Sequence, residues 1–345
     1  MNFEQIENLK NKLKAKIAKG ILFPPTAIPF GSEVNGDLKD YITRWYTRMY
    51  DFDFVEHLQV EEHIFHSPEN IQVNSADSRS FDGIDSTQED FQLALDIICL
   101  KNSITWNKAS PFISFDLIIK SKSYRASLLH HTICKEHGSK LFLRSQSPKA
   151  YELDSFYDPS FLRELIISRK NVLICGATGS GKTSLLNSML EASSANDHLL
   201  ILEDTYEILS PHSNTTRLLA TDEDGKRLKD YISYAMRVSP DRIVLGELRS
   251  NEVESFLLAM NSGNKGVLST IHANSAADAI SRIALLTRLY GQNALDYSLV
   301  LKLVATNIDY VLFMRNKRVV EVIEIFGSEG DQLFYECLDK KMAAS

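Results

Sequence analysis

The sequence predicts an α/β protein of two domains, an N-terminal α+β domain and a C-terminal domain built on a mainly parallel central sheet. Three observations predict it. The apolar strand signal Asn171-Val-Leu-Ile-Cys175 runs into the glycine-rich stretch Gly176-Ala-Thr-Gly-Ser-Gly-Lys182-Thr183, and then into Ser184-Leu-Leu-Asn-Ser-Met-Leu-Glu191, apolar at helical spacing. Apolar strands at His198 to Glu203, Asp241 to Glu247 and Gly266 to Ile271 alternate with helical patterns, the order a parallel sheet needs. The segments before residue 147 instead mix helices with short alternating strands of the antiparallel kind. The expected boundaries are a first domain over residues 1–147, a linker over 148–157 and a second domain over 158–345.

Taken in order, residues 3–19 place Phe3, Ile6, Leu13 and Ile17 at near-helical spacing among Lys10, Lys12, Lys14, Lys16 and Lys19. This reads as a helix packing one stripe on its own domain, or as an amphipathic helix for a membrane surface or partner. A helical region follows around Asp37 to Tyr50, then the alternating Asn70-Ile-Gln-Val73. Ser86 and Glu89 offer a capping box for a helix over Thr87 to Leu100. Ser114-Phe-Asp-Leu-Ile-Ile119, Tyr124-Arg-Ala-Ser-Leu-Leu129 and Lys140-Leu-Phe-Leu-Arg144 read as antiparallel strands. Polar residues from Ser145 to Lys149 suit a linker, and Asp158-Pro159 opens a helix that runs to Ile167. Tyr310-Val-Leu-Phe-Met314 and Val319-Val-Glu-Val-Ile-Glu-Ile325, separated by Arg315-Asn-Lys-Arg318, read as a hairpin.

A chain of 345 residues, 44% apolar and 24% charged, has the composition of a globular protein and excludes disordered and collagen-like classes. Its formal charge of −7 argues against a protein that coats nucleic acid. Cys99, Cys134, Cys175 and Cys337 are scattered without C-x-x-C spacing, so neither a disulfide framework nor a zinc ribbon is implied, and a reducing cytosol is expected. No run approaches the ~18 apolar residues that span a bilayer, and no compact apolar signal region opens the sequence. His63, His66, His130, His131 and His137 have no metal-ligand spacing.

Gly176 to Thr183 fills every fixed position of the phosphate-cradling pattern G-x-x-x-x-G-K-S/T, and lies between a strand and a helix as that pattern requires. Nucleotide binding is therefore the leading functional expectation. Gly176, Ala177, Thr178, Gly179, Ser180 and Gly181 would turn consecutive N–H groups toward a phosphate, with Lys182, Thr183 and Ser184 at the positive end of the next helix. Lys182 would reach the β- and γ-phosphates, and Thr183 would ligate Mg²⁺. A carboxylate at a neighbouring strand end should orient the attacking water and help organise the metal, and Glu247 after Ile243 to Leu245 supplies it. The more usual element ends in Asp-Glu, and here Gly246 takes the place of the Asp. Taken alone, Glu247 also reads as a surface acid paired with Arg249. Leu199 to Leu202 end in a second acidic pair, Glu203 and Asp204, and the strand signal before His272 puts a histidine at a third strand end.

In combination these elements resemble the secretion ATPase superfamily of type II secretion, type IV pili and type IV secretion. The phosphate loop, the acidic box Leu202 to Glu207, Gly246-Glu-Leu-Arg249 and Thr270-Ile-His-Ala-Asn274 carry the likeness. Met236-Arg-Val-Ser-Pro-Asp-Arg242, Ala259-Met-Asn-Ser-Gly263 and Asp278-Ala-Ile-Ser-Arg282 add to it, and look most similar to the Tad/Flp pilus branch. The resemblance covers the second domain closely and the first loosely, from Ile64 to Arg144. It implies a PAS-like first domain, a RecA-like second domain and a homohexameric ring at the cytoplasmic side of the inner membrane, docked on platform proteins of a pilus or secretion machine. Hydrolysis of ATP with Mg²⁺ would move the domains against each other, without direct nucleic-acid binding. Glu247 would be the main catalytic carboxylate and a metal ligand, Glu203 an auxiliary carboxylate and His272 a sensor of the γ-phosphate. Arg125 and Arg144 fall where family arginines of the first domain reach the phosphates, with Arg227, Arg237 and Arg242 as weaker candidates. The chain departs from the family at His130 and His131, where prolines are usual, and at Ser210-Pro-His-Ser-Asn-Thr215. Two other readings stay open: a nucleotide-responsive scaffold with little turnover, prompted by Gly246, and a RecA-like nucleic-acid motor.

Overall fold

The computed structural model describes residues 3–32, 34–55, 60–75, 78–134, 138–146, 150–209, 211–220, 227–235, 237–261, 263–291, 293 and 295–340. Pro148 and Lys149 of the expected linker, His137, Ser210, Met236 and Ser262 lie outside them. The chain divides into two compact units, Met1–Pro148 and Lys149–Ser345.

The first unit holds α1 (Phe3–Ile17), α2 (Gly36–Tyr50), β1 (Glu62–Ser67), β2 (Asn70–Asn74), β3 (Arg79–Asp82), α3 (Gln88–Lys101), β4 (Phe112–Ile119), β5 (Lys122–Leu129) and β6 (Lys140–Ser145). Its strands form one antiparallel sheet in the order β3-β2-β1-β6-β5-β4. Alternate residues Tyr124, Ala126 and Leu128 of β5, with Leu141 and Leu143 of β6, enter a core shared with Ile42, Tyr46 and Met49 of α2 and Phe91, Leu95 and Ile98 of α3. α1 buries Ile6, Leu13 and Ile17 in that core, while Phe3 stays exposed. Each buried aliphatic side chain contributes about 1.5–3 kcal/mol, so the stripe is consumed by its own unit rather than offered to a membrane. Lys14 pairs with Glu89 at 2.9 Å and Asp90 at 3.5 Å, and Lys10 lies over the Trp45 ring. The cap of α3 differs from expectation: Thr87 accepts from the Asp90 N–H at 3.1 Å, and the Ser86 hydroxyl turns to the Thr87 carbonyl. The hydroxyl directly before the first helical residue is the one that reaches the free N–H groups.

The second unit runs α4 (Pro159–Ile167), β7 (Val172–Gly176), α5 (Lys182–Glu191), β8 (Leu199–Glu203), β9 (Thr215–Leu219), α6 (Leu228–Ala235), β10 (Arg242–Leu248), α7 (Glu252–Met260), β11 (Leu268–Ile271), α8 (Ala276–Tyr290), α9 (Tyr297–Asn307), β12 (Tyr310–Arg315), β13 (Arg318–Glu329) and β14 (Gln332–Lys340). The sheet order is β14-β13-β12-β7-β11-β10-β8-β9, parallel from β12 through β9, with β13 and β14 antiparallel at one end. Residues of β7, β8 and β10 are buried on both faces, and their period of two divides them between two cores. Leu173, Leu200, Leu202, Ile243 and Leu245 join α6 to α9 on one face, whereas Ile174, Leu199, Ile201 and Val244 join α4 and α5 on the other. The carboxyl ends of four neighbouring strands, β7, β11, β10 and β8, thus share one edge.

Candidate functional site

β7 ends at Gly176, where the chain turns through Gly176, Gly179 and Gly181 at φ +155°, +75° and +97°. At Gly176 a Cβ would stand 2.5 Å from Ser180 Oγ and 2.6 Å from the Met314 carbonyl, so only glycine fits both the turn and the space. The helix α5 then starts at Lys182, its first N–H groups facing back into the loop. Lys182 is buried, and its Nζ donates to the carbonyls of Gly176 at 3.1 Å and Ala177 at 3.0 Å. It also lies 3.3 Å from His272 Nδ1. The Thr183 hydroxyl donates to Glu207 Oε2 at 3.3 Å, which leaves its lone pairs available to a cation. Ser180 Oγ is buried with no hydrogen bond among the described residues.

Glu247 reaches the same edge through an irregularity in β10. Its register against β11 shifts between Leu245 and Leu248, so Gly246 and Glu247 form a bulge, and the Thr270 hydroxyl donates to the Gly246 carbonyl at 2.7 Å. Bulges re-aim side chains at the rims of sheets. Gly246 packs beside the second acid, since a Cβ there would sit 3.4 Å from Glu203 Cγ, an ordinary contact. Glu247 Oε1 stands 2.7 Å from His272 Nε2, although no ring N–H is aligned on it. Oε2 accepts from Arg249 Nε at 2.6 Å, and Arg249 Nη1 carries the contact on to Asp204 Oδ2 at 2.8 Å. Burial and the Lys182 ammonium hold His272 below the usual imidazole range, so it is a neutral partner of Glu247 near pH 7.

Glu203 closes the row at the end of β8. It is 1% exposed; its Oε1 accepts the N–H groups of Glu207 at 2.8 Å and Ile208 at 2.7 Å, and its Oε2 lies 3.5 Å from Arg217 Nε. Burial outweighs those bonds and pushes its carboxyl up to about 7. The folded state therefore holds this proton more tightly than the unfolded chain, where the carboxyl has its ordinary value of 4.5. The resulting stability is complete below that value and is lost as pH rises through about 7. The stability of wild type minus that of Glu203→Gln is expected to fall by on the order of 3 kcal/mol between pH 4.5 and pH 8. Urea unfolding of both proteins at the two pH values measures it; a constant difference would mean that Glu203 is ionised throughout.

The fold thus brings Lys182, Thr183, His272, Glu247 and Glu203 to one edge. It adds Glu207 on the Thr183 hydroxyl, a contact the sequence reading passed over: Glu207 belongs to the acidic box, but no spacing rule pairs it with residue 183. Arg125 and Arg144 lie in the first unit, directly opposite each other on β5 and β6, in a row with Asp116 on β4 and Glu62 on β1. Arg227 immediately precedes α6, where its N–H donates to Asp230, and Arg237 is exposed after that helix. Arg242 is buried at the other end of β10, on Asp197 and the Ile166 carbonyl, which removes it from the phosphate candidates. Among the described residues no group of three His, Cys, Asp or Glu could hold a metal by itself. Chemically, the edge offers a cationic phosphate cradle, a hydroxyl for a hard cation, and a carboxylate fixed on one oxygen.

Residues 113–315 match the sequence model of the family described as "Type II/IV secretion system protein". The conjugal transfer protein TrbB of Rhizobium radiobacter is 36% identical over 206 residues, 55% of this chain and 61% of that protein. Protein VirB11 of Rhizobium radiobacter is 33% identical over 174 residues, 48% of this chain and 50% of that protein. The chain thus spans only about half to three fifths of these relatives' lengths. Among solved structures, the pilus retraction motor PilT with bound ADP aligns at a TM-score of 0.59 and 21% identity, over 86% of this chain and 83% of that one. The Legionella pneumophila ATPase DotB aligns at 0.56 and 14%, over 90% and 82%. At such identities the likeness is one of fold. The family match covers more than half of the chain and includes the whole row from the phosphate loop to His272: the chain belongs to the type II/IV secretion system protein family.

Proposed function

We propose that this protein binds Mg–ATP at residues 176–184 and hydrolyses it to drive a secretion or pilus machine. The observation that carries the reading is the convergence of Lys182, Thr183, His272 and Glu247 on one sheet edge, with distances of 3.3 Å and 2.7 Å linking lysine to histidine and histidine to carboxylate. Thr183 and Glu247 are hard oxygen donors that suit Mg²⁺, and Glu207 orients the hydroxyl by accepting its hydrogen bond. The metal would neutralise charge on the β- and γ-oxygens. Glu247 would position and polarise the attacking water, His272 would sense the γ-phosphate as a neutral imidazole, and Glu203 would support the acidic turn. By the family resemblance, Arg125 and Arg144 would supply charge to the phosphates from the first unit.

The same reading takes the second unit as RecA-like, supported by its parallel strands and phosphate loop, and the first as PAS-like, supported by an antiparallel sheet backed by helices. It takes the active form as a homohexamer at the cytoplasmic face of the inner membrane, held there by platform proteins. The absence, among the described residues, of any helix long and apolar enough to cross a membrane accords with attachment through partners. The likeness to TrbB and VirB11 favours a conjugation or type IV secretion machine over a Tad/Flp pilus. A nucleotide-responsive scaffold is the second reading, favoured by Gly246 and by the Arg249 contact on Glu247.

The test is ATP turnover and molecular mass across a protein concentration series, beside Lys182→Ala. Turnover should rise with ring formation. The variant should bind Mg–ATP about 100-fold more weakly, the scale of a lost charge-assisted contact. Tight binding without turnover in any assembly would establish the scaffold, and no binding would remove both.

A further inference from the structure

The turn Arg315-Asn316-Lys317-Arg318 between β12 and β13 carries three exposed cations and lies against the phosphate loop. The Lys317 N–H donates to the Ser180 carbonyl at 3.1 Å. A Cβ at Gly181 would stand 3.4 Å from Lys317 Cα and 3.3 Å from Met314 Cε, so the turn's backbone packs directly on the glycine that precedes Lys182. Asn316 and Lys317 have φ of 51° and 62°, the left-handed pair of a two-residue hairpin turn in which Asn-Gly is the favoured sequence. A lysine in the second place carries a steric penalty that glycine lacks. That penalty, beside a loop built for anions, points to a use for the ammonium. Residue 317 also lies past the end of the 113–315 segment matching the family's sequence model, so the family pattern does not account for it.

We propose that Lys317 is a binding residue for a nucleoside di- or triphosphate, supplying a second cation beside Lys182. The inference rests on the nucleotide reading of the loop given above. Lys317 Cα and Cβ lie 3.4 and 3.7 Å from where a Cβ at Gly181 would stand, so the lysine stem starts on the phosphate loop itself. It acts on the phosphates that ADP and ATP share, so both nucleotides register its loss. Arg315 and Arg318, paired across the hairpin, raise the local positive potential without being fixed to the loop.

The experiment is calorimetric titration of the full chain with Mg–ADP and with Mg–ATP, for wild type, Lys317→Gly and Lys317→Arg, at low and high salt. Lys317→Gly should weaken both nucleotides about tenfold, the equivalent of one charge-assisted contact, with the loss shrinking at high salt. Lys317→Arg should stay within about threefold of wild type, since it keeps the charge. Without nucleotide, Lys317→Gly should melt no lower than wild type, because glycine relieves the left-handed turn; this separates a binding role from a folding one. Equal affinity in wild type and Lys317→Gly would overturn this inference alone, while no binding by wild type would overturn it together with the nucleotide reading.

Discussion

Glu247→Gln is expected to lower Mg–ATP turnover by about 10²–10⁴-fold, the range for loss of a positioned general base, with nucleotide affinity held within about threefold. The isosteric amide keeps the bulge of β10 and can still accept from Arg249 on its carbonyl oxygen. What it loses is the negative charge that polarises water beside the γ-phosphate. The His272 contact at 2.7 Å separates two effects. A neutral imidazole neither neutralises nor replaces the carboxylate, so His272→Asn should reduce turnover less than Glu247→Gln does. Single-turnover phosphate release, read beside calorimetric affinity, distinguishes chemistry from binding. Unchanged release in Glu247→Gln would transfer the base role to another acid of the edge and unseat the central assignment.

Arg242→Ala is expected to destabilise the fold by about 3–5 kcal/mol, the cost of breaking a buried ion pair by removing one partner. Arg242 is 3% exposed; its Nε donates to Asp197 Oδ2 at 2.7 Å and its Nη2 to the Ile166 carbonyl at 2.7 Å. Gly266 makes room for the guanidinium, since a Cβ there would lie 2.6 Å from Nη1. Truncation leaves Asp197 buried with only Arg169, which bonds it at 2.8 Å but is 42% exposed. The control is therefore Arg169→Ala, where solvent screening limits the loss to about 1 kcal/mol or less. Denaturant unfolding of the two variants measures the contrast. Equal losses would mean that the burial of Arg242 contributes nothing of its own. A specific drop in nucleotide affinity of the folded Arg242 variant would return this residue to the phosphate site.

The case of Arg242 shows where sequence reading stops. Its strand was legible, because Ile243 to Leu245 are continuously apolar, and so was the end of the strand that carries Glu247. Position along a parallel strand then decides role: the carboxyl end meets ligands, and the amino end meets the structural pair Asp197–Arg242. The amino end of that strand was legible too, but nothing in one dimension told that Asp197, just before β8, would meet it. The phosphate loop was legible for the opposite reason, since its function depends on local backbone conformation that glycine spacing records directly. β9 and β14 escaped notice because edge strands need no apolar alternation: Thr215 to Leu219 is only partly buried, and the exposed side chains of Phe334, Tyr335 and Leu338 give β14 no single buried face. The bulge at Gly246 was visible only as a missing aspartate; the register shift against β11 that makes it is a pairing between strands and leaves no mark in one of them.

β7 is hydrogen-bonded along its whole length to β11 on one side and β12 on the other, in unbroken parallel register. A strand clamped in that way cannot slide, since a slip of one residue would swap its two faces between the cores. Under load the base of the phosphate loop therefore acts as a fixed anvil. On the nucleotide reading proposed above, displacement on binding would fall in the turns that leave the carboxyl edge, with the sheet as the stationary frame.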